Sequence, residues 1–146
     1  MYKTILVPLD GSERAEAILP HVEELARSIV AKVIFLQVRQ SIPSLIGPEV
    51  AYIDQYQMML DQLTEESEKY LKKLQEEFSG KHIDADICVT QGPIVERIIN
   101  VAGRESADLI AIASHGRTGL SRAFYGSVAA GVLHRIDRPL LIIRSI

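Results

Sequence analysis

Five short apolar runs punctuate the chain, and four segments with helical spacing separate them. The runs are KTILVPLD, AKVIFLQV, HIDADICVT, ADLIAIA and RPLLIIRS. KTILVPLD, which ends on Asp10, lacks the polar alternation of a half-exposed strand and suits one covered on both faces. AKVIFLQV reads as a second strand over about 32–38, and ADLIAIA as a fourth over 107–113. HIDADICVT alternates, with Ile83, Ala85, Ile87 and Val89 on one face. Strands that alternate with helices build a parallel sheet with helices on both faces. Right-handed crossovers throughout make it an open, doubly wound α/β fold, Rossmann-like in its winding.

The intervening segments carry the helical period. Ser12 suits an N-cap, and Ala15, Ile18, Leu19, Val22, Leu25, Ala26 and Ile29 follow at helical spacing. Pro20 falls inside that pattern, where the helix either kinks or absorbs the residue near its first turns. RQSIPSLIGPEV, 39–50, reads as a loop. From Glu49 to Phe78 the helical period returns, with acidic residues that read as a solvated face. As one helix this segment would run about 45 Å, so its first turns are expected to project or bend. Pro93 opens a helix striped by Ile94, Val95, Ile98, Ile99 and Ala102. SVAAGVLHRI is the last, short helix. With no repeat of fixed period, residues 1–146 are expected to form a single domain.

Composition narrows the function classes. A hydrophobic share of 47% and a charged share of 24% describe a globular chain rather than a disordered one. A net charge of -3 argues against nucleic acid as the main partner. Cys88 is the only cysteine, which removes an intrachain disulfide framework. No apolar run approaches the length of about 18 residues that a membrane span needs. The opening MYKTILVPLDGS has no apolar core followed by a small-residue cleavage site, so the expected location is cytoplasmic, with no membrane partner.

In a sheet of this kind ligands sit outside the carboxyl ends of the strands, where the winding reverses. PLDGS, QVRQ and ASHGRTG fall at such ends. None contains the G-x-G-x-x-G of a dinucleotide turn, and the chain has no G-x-x-x-x-G-K-[ST] loop. ASHGRTGLSRAFYGS, 113–127, offers a different phosphate device. Gly116 lets backbone N–H groups approach an anion. Gly126 and Ser127 open a helix whose free N–H groups point at whatever lies above that end, and Arg117 and Arg122 add charge. The plainer reading, in which the glycines serve a turn and Ser127 only caps, stands beside it. Asp10 likewise either caps the following turn or accepts from an adenine amino group or ribose hydroxyl, with backbone near Val38 completing the pocket. His21, His82, His115 and His134 share no ligand spacing, so no metal site is expected; His21 and His134 read as partly buried. Cys88 reads as a small hydrophobe, not a nucleophile.

With TILVPLDGS, ADLIAIASHGRTGLSRAFYGSVA and RPLLIIR in place, the chain resembles the universal stress protein family over essentially its whole length. The last third of its ATP-binding members carries G-x-x-G, nine residues, then G-[ST]. Gly116, Gly126 and Ser127 match this pattern, and Ala113 stands at the position of its first glycine. The resemblance implies a five-stranded sheet of order 3-2-1-4-5, with Pro8, Leu9 and Asp10 across from Ile112 and Ala113. It implies that Asp10 and Val38 hold the adenosine end of ATP and that Ala113 approaches the ribose. Gly116, Gly126, Ser127, Val128 and Ala129 would wrap the phosphates; charge and position add Arg117. A homodimer through the fifth strand, Leu140, Leu141, Ile142 and Ile143, is also implied, and an apolar edge strand is a liability unless paired.

Phosphoryl transfer needs a metal-holding carboxylate and a group that positions the nucleophile. Asp10 is the one candidate near the cleft, and no lysine lies near the glycine loop. The expectation is therefore no catalytic residue, and a nucleotide-dependent sensor or binding module of stress-response type. The alternatives are a slow ATPase or phosphotransferase, with Mg2+ held jointly by Asp10 and the phosphates, and a nucleotide-free dimeric interaction protein.

Overall fold

The computed structural model describes residues 2–40, 53–115 and 126–145. In chain order they form β1 (Thr4–Pro8), α1 (Glu13–Glu16), α2 (Leu19–Ile29), β2 (Lys32–Arg39) and α3 (Ile53–Ser79). β3 (Ala85–Gln91), α4 (Ile94–Arg104), β4 (Leu109–His115), α5 (Gly126–Arg135) and β5 (Leu140–Ser145) follow. The strands make one five-stranded sheet of order β3-β2-β1-β4-β5. Each neighbouring pair is parallel, with Val7 opposite Phe35, Ile5 opposite Leu109 and Ala113 opposite Ile143. The expected winding is observed, and the reversal falls between β1 and β4.

Alternation along the strands divides the core in two. Ile5, Val7, Val33, Phe35 and Ala111 point to the face covered by Val22 of α2 and by Leu71, Leu74 and Phe78 of α3. Phe78 meets Phe35 edge-on, with ring centroids 4.9 Å apart. Leu6, Ile34, Leu36 and Ile110 point the other way, against Ile98, Val101 and Ala102 of α4 and Val132 of α5. Ile83, Ala85, Ile87 and Val89 share the first face, as their alternation requires.

Pro20 divides the first helical segment rather than bending it. α1 is one turn capped by Ser12, and α2 restarts with Pro20 in its opening positions. Proline has no N–H to give the Glu16 carbonyl, and its ring crowds that group; at a helix start neither fault matters. The fourth strand begins two residues later than its apolar run. Ala107 N–H donates back to the Ala102 carbonyl at 2.9 Å. The Asp108 carboxylate accepts from the Lys3 and Thr4 amides at 3.0 and 3.1 Å, so 107 and 108 serve the turn. Arg39, expected in a loop, closes β2: its guanidinium donates to Ser67 Oγ at 2.7 Å and to the Leu63 carbonyl at 3.2 Å, pinning α3 over the strand end. α3 runs unbroken from Ile53; the stretch 49–52 of the expected helix lies outside the described residues. His21 and His134 are exposed, not partly buried. The inward stripes fall on Val22 and Ala26 of α2 and on Ala129 and Val132 of α5, which leaves both imidazoles outside. Among the described residues no helix is long and apolar enough to cross a membrane.

Candidate functional site

A cleft of about 110 Å³ opens at the carboxyl ends of β1, β2 and β4. Pro8, Leu9 and Asp10 form one wall, and Ile112, Ala113 and Ser114 the opposite one. Leu36 and Val38 of β2, Ile94 and Ile98 of α4, and Val128 and Ala129 of α5 close the α4–α5 side. Ser12 reaches in from the turn after β1, and Arg14 and Ala15 from α1. The cleft therefore stands at the point where the winding reverses, with apolar walls and a few polar groups.

The turn after β1 is built around Asp10. Its Oδ1 accepts from the Ser12 amide at 2.9 Å and from Ser12 Oγ at 2.6 Å, and Gly11 between them adopts φ +87°. That positive φ is readily reached only without a Cβ. Ser12 Oγ in turn accepts from the Ala15 amide at 3.2 Å, so one short relay shapes the loop and caps α1. One oxygen of Asp10 thus holds the turn, as the capping reading requires, and the exposed residue lines the cleft.

Just outside, the Tyr70 hydroxyl of α3 donates to Glu16 Oε2 at 2.6 Å. Burial pushes the Tyr70 hydroxyl far above its ordinary value, and the bond to Glu16 and the charges of Glu16 and Asp10 push the same way. This contact ties α3 to α1 beside the cleft.

Ala113 sits within β4 at the wall, and its φ is not positive. An alanine methyl is accommodated there without backbone strain. Ser114 is buried, and its Oγ donates to the Ile143 carbonyl at 3.3 Å, fastening this wall to β5.

Pro8, Leu9, Asp10, Val38, Ile112, Ala113, Val128 and Ala129, all named from sequence, thus line one cleft. Gly126 and Ser127 do not line it; they open α5 directly before Val128, Gly126 at φ +73°. Gly116 and Arg117 lie outside the described residues, as do Gly119 and Arg122. Sequence reasoning passed over Arg14, a cation at the mouth, and it assigned Ala15, Ile94 and Ile98 to helix stripes only. Their signal was position: each falls in the first turns of a helix that follows a strand's carboxyl end. Among the described residues no three His, Cys, Asp or Glu side chains gather as a metal site.

Comparison with known proteins extends this picture. Universal stress protein MJ0577 of Methanocaldococcus jannaschii is 29% identical, over 99% of this chain and 96% of its own. Its solved structure superposes with a TM-score of 0.82 over the same shares. Universal stress protein UspA from Lactobacillus plantarum shares the fold at a TM-score of 0.82 and 21% identity, covering 98% of each chain. A universal stress protein from Archaeoglobus fulgidus, solved in complex with dAMP, shares the fold at a TM-score of 0.66 and 19% identity, covering 97% of this chain and 98% of its own. Residues 1–144 match the model of the universal stress protein family, and the chain belongs to that family.

Proposed function

We propose that this protein binds an adenine nucleotide, ATP in the first place, in the cleft at the winding reversal. It then acts as a nucleotide-dependent sensor or binding module of the family's ATP-binding-motif subgroup. The observation that carries the reading is convergence. Residues far apart in sequence, Asp10, Val38, Ala113 and Val128, meet around one hollow beside a helix N-terminus. Asp10 and the backbone at Val38 would take the adenosine end, and Ala113 the ribose. Gly126, Ser127, Val128 and Ala129 present the free amides of the first turn of α5, a setting that favours phosphate. Arg14 supplies charge at the mouth.

Mg2+ fits this donor set only as a companion of the phosphates. Asp10 is the carboxylate lining the cleft, and Ser12 already engages one of its oxygens. Among the described residues lining the cleft, Asp10 and Arg14 are the charged groups, a set that favours occupancy over turnover. β5 is the sheet edge, with Leu140, Leu141, Ile142 and Ile143 half-buried, and its pairing with a second copy would cover them.

The test is to denature the purified protein, run the supernatant on an anion-exchange column, and follow nucleotide turnover on the native protein. A stoichiometric adenine-nucleotide peak with slow turnover is expected. Turnover of about one per second or faster, the range of ordinary enzymes, would refute the binding-module reading. Gly126→Val should abolish thermal stabilisation by ATP; if stabilisation survives, the phosphates lie elsewhere.

A further inference from the structure

The outer face of α3 before Ser67 is acidic, yet it carries two bare methionines. From 53 to 68 the chain holds Asp54, Asp61, Glu65, Glu66 and Glu68 and no lysine or arginine; Lys69 is the first cation to follow. None of residues 54–66 is buried, and burial begins at Ser67, where Arg39 fastens the helix to β2. Leu60 and Leu63 face the strand ends and are half-buried. On the other side, Gln55, Met58, Gln62 and Glu65 succeed one another at helical spacing. With Met59 and Asp61 they line a shallow hollow of about 540 Å³. Met58 is 70% exposed and Met59 43%.

A solvated helix face accounts for the carboxylates but not for the methionines. Single exposed apolar side chains are ordinary. Here two adjacent ones sit on a run of about 20 Å that the sheet leaves uncovered. Among the described residues, Val30 and Leu133 are the other large apolar side chains so exposed, each far away in sequence and alone. Methionine is flexible and polarizable, and adapts to the shape of an apolar partner. The surrounding charge defines that partner. Among the described residues, ion pairs join Arg27 and Lys81 to Glu23, Lys32 to Asp86, and sequence neighbours elsewhere; none draws on a carboxylate of 53–68. Carboxylates around an apolar centre complement a segment that presents lysine or arginine around its own apolar stripe. A second copy docked by the same face would set carboxylates against carboxylates, and an anionic membrane would meet the same repulsion.

We propose that the outer face of the first half of α3 is a docking site for a basic amphipathic helix of another protein. Met58 and Met59 make the apolar contact, and Asp54, Asp61, Glu65 and Glu66 meet the cations around it. The proposal is independent of the nucleotide reading of the main cleft.

The test is fluorescence anisotropy of a labelled peptide built from leucine and lysine at amphipathic helical spacing, titrated with the full chain. Wild type is expected to bind it, more weakly as salt rises, and about tenfold more tightly than a scrambled peptide of the same composition. Met58→Gln with Met59→Gln keeps side-chain length and helix propensity, and should weaken binding about tenfold, the scale of one buried apolar side chain. Glu65→Gln with Glu66→Gln should weaken it about threefold. Glu76→Gln with Glu77→Gln, an equal loss of charge at exposed positions near the far end of α3, should leave it unchanged. No binding, equal binding of the scrambled peptide, or methionine variants that bind as wild type does would each overturn the proposal. So would equal effects of the two glutamate pairs, which mean attraction to net charge alone. Sedimentation of the protein alone, and with neutral phosphatidylcholine vesicles, tests the other occupants. Self-association or vesicle binding that the methionine variants abolish overturns the proposal in favour of a second copy or a lipid surface.

Discussion

One substitution, glycine to alanine, should have opposite effects on the two helices that flank the cleft. Inside a helix the exchange favours folding by about 0.5–1 kcal/mol, because glycine loses more backbone freedom. At Gly103 in α4 an added methyl meets nothing within 4 Å, so that gain should appear undiminished. At Gly131 in α5 the same methyl would stand 2.7 Å from Val95 Cγ2 and 3.4 Å from its Cγ1. Val95 is β-branched and held in one rotamer by its own helix, so relief requires turning it against that preference or shifting α5 away from α4. Overpacking of this kind costs about 1–3 kcal/mol, which outweighs the helix gain and leaves Gly131→Ala less stable by about 1 kcal/mol. Urea unfolding of the two variants should bracket wild type, and their melting temperatures should differ by about 5 °C for a chain of this size. Adding Val95→Ala to Gly131→Ala should recover more than the sum of the separate effects. If Gly131→Ala stabilises the protein as much as Gly103→Ala does, the close approach of α4 and α5 described here is wrong.

Val30 caps α2 in the left-handed region at φ 55° with its side chain 89% exposed, so Val30→Gly should raise stability by about 0.5–1 kcal/mol in urea titrations. A loss of stability would show that the side chain packs. Tyr70 has its folded pKa raised above the ordinary 10.0, chiefly by burial. The stability it contributes is therefore complete below pH 10 and declines as pH climbs from there towards the folded value. In an alkaline titration followed by tyrosinate absorbance, one of the five tyrosines should ionise only as the protein unfolds; ionisation of all five together near pH 10 would contradict this. Asp10→Ala should cost about 1 kcal/mol through the lost turn bonds to Ser12 and also weaken ATP binding, whereas inorganic phosphate should bind as before. Thermal shifts with each ligand separate the two effects.

The parallel sheet was legible because its strands are short branched runs between helical periods, a pattern few other folds produce. Boundaries were less so. The run ADLIAIA starts inside a turn because Asp108, polar and adjacent, is recruited by the Lys3 and Thr4 amides more than a hundred residues away. Pro20 could be seen but not its consequence, since a break and a bend differ only in how the flanking turns close. At the cleft, sequence carried the residues that a strand-end rule or the family motif could name, such as Asp10, Ala113 and Val128. Ile94, Ile98 and Arg14 were passed over because their places in the first turns of α4 and α1 bring them to the cleft only once those helices pack on the sheet.

The most direct measurement is a calorimetric titration of ligand-free protein with ATP, paired with its thermal shift. One site per chain is expected, with a stabilisation of about 2.7 kcal/mol once free ATP reaches a hundred times the dissociation constant. No heat and no thermal shift at millimolar ATP would contradict a nucleotide site in this cleft.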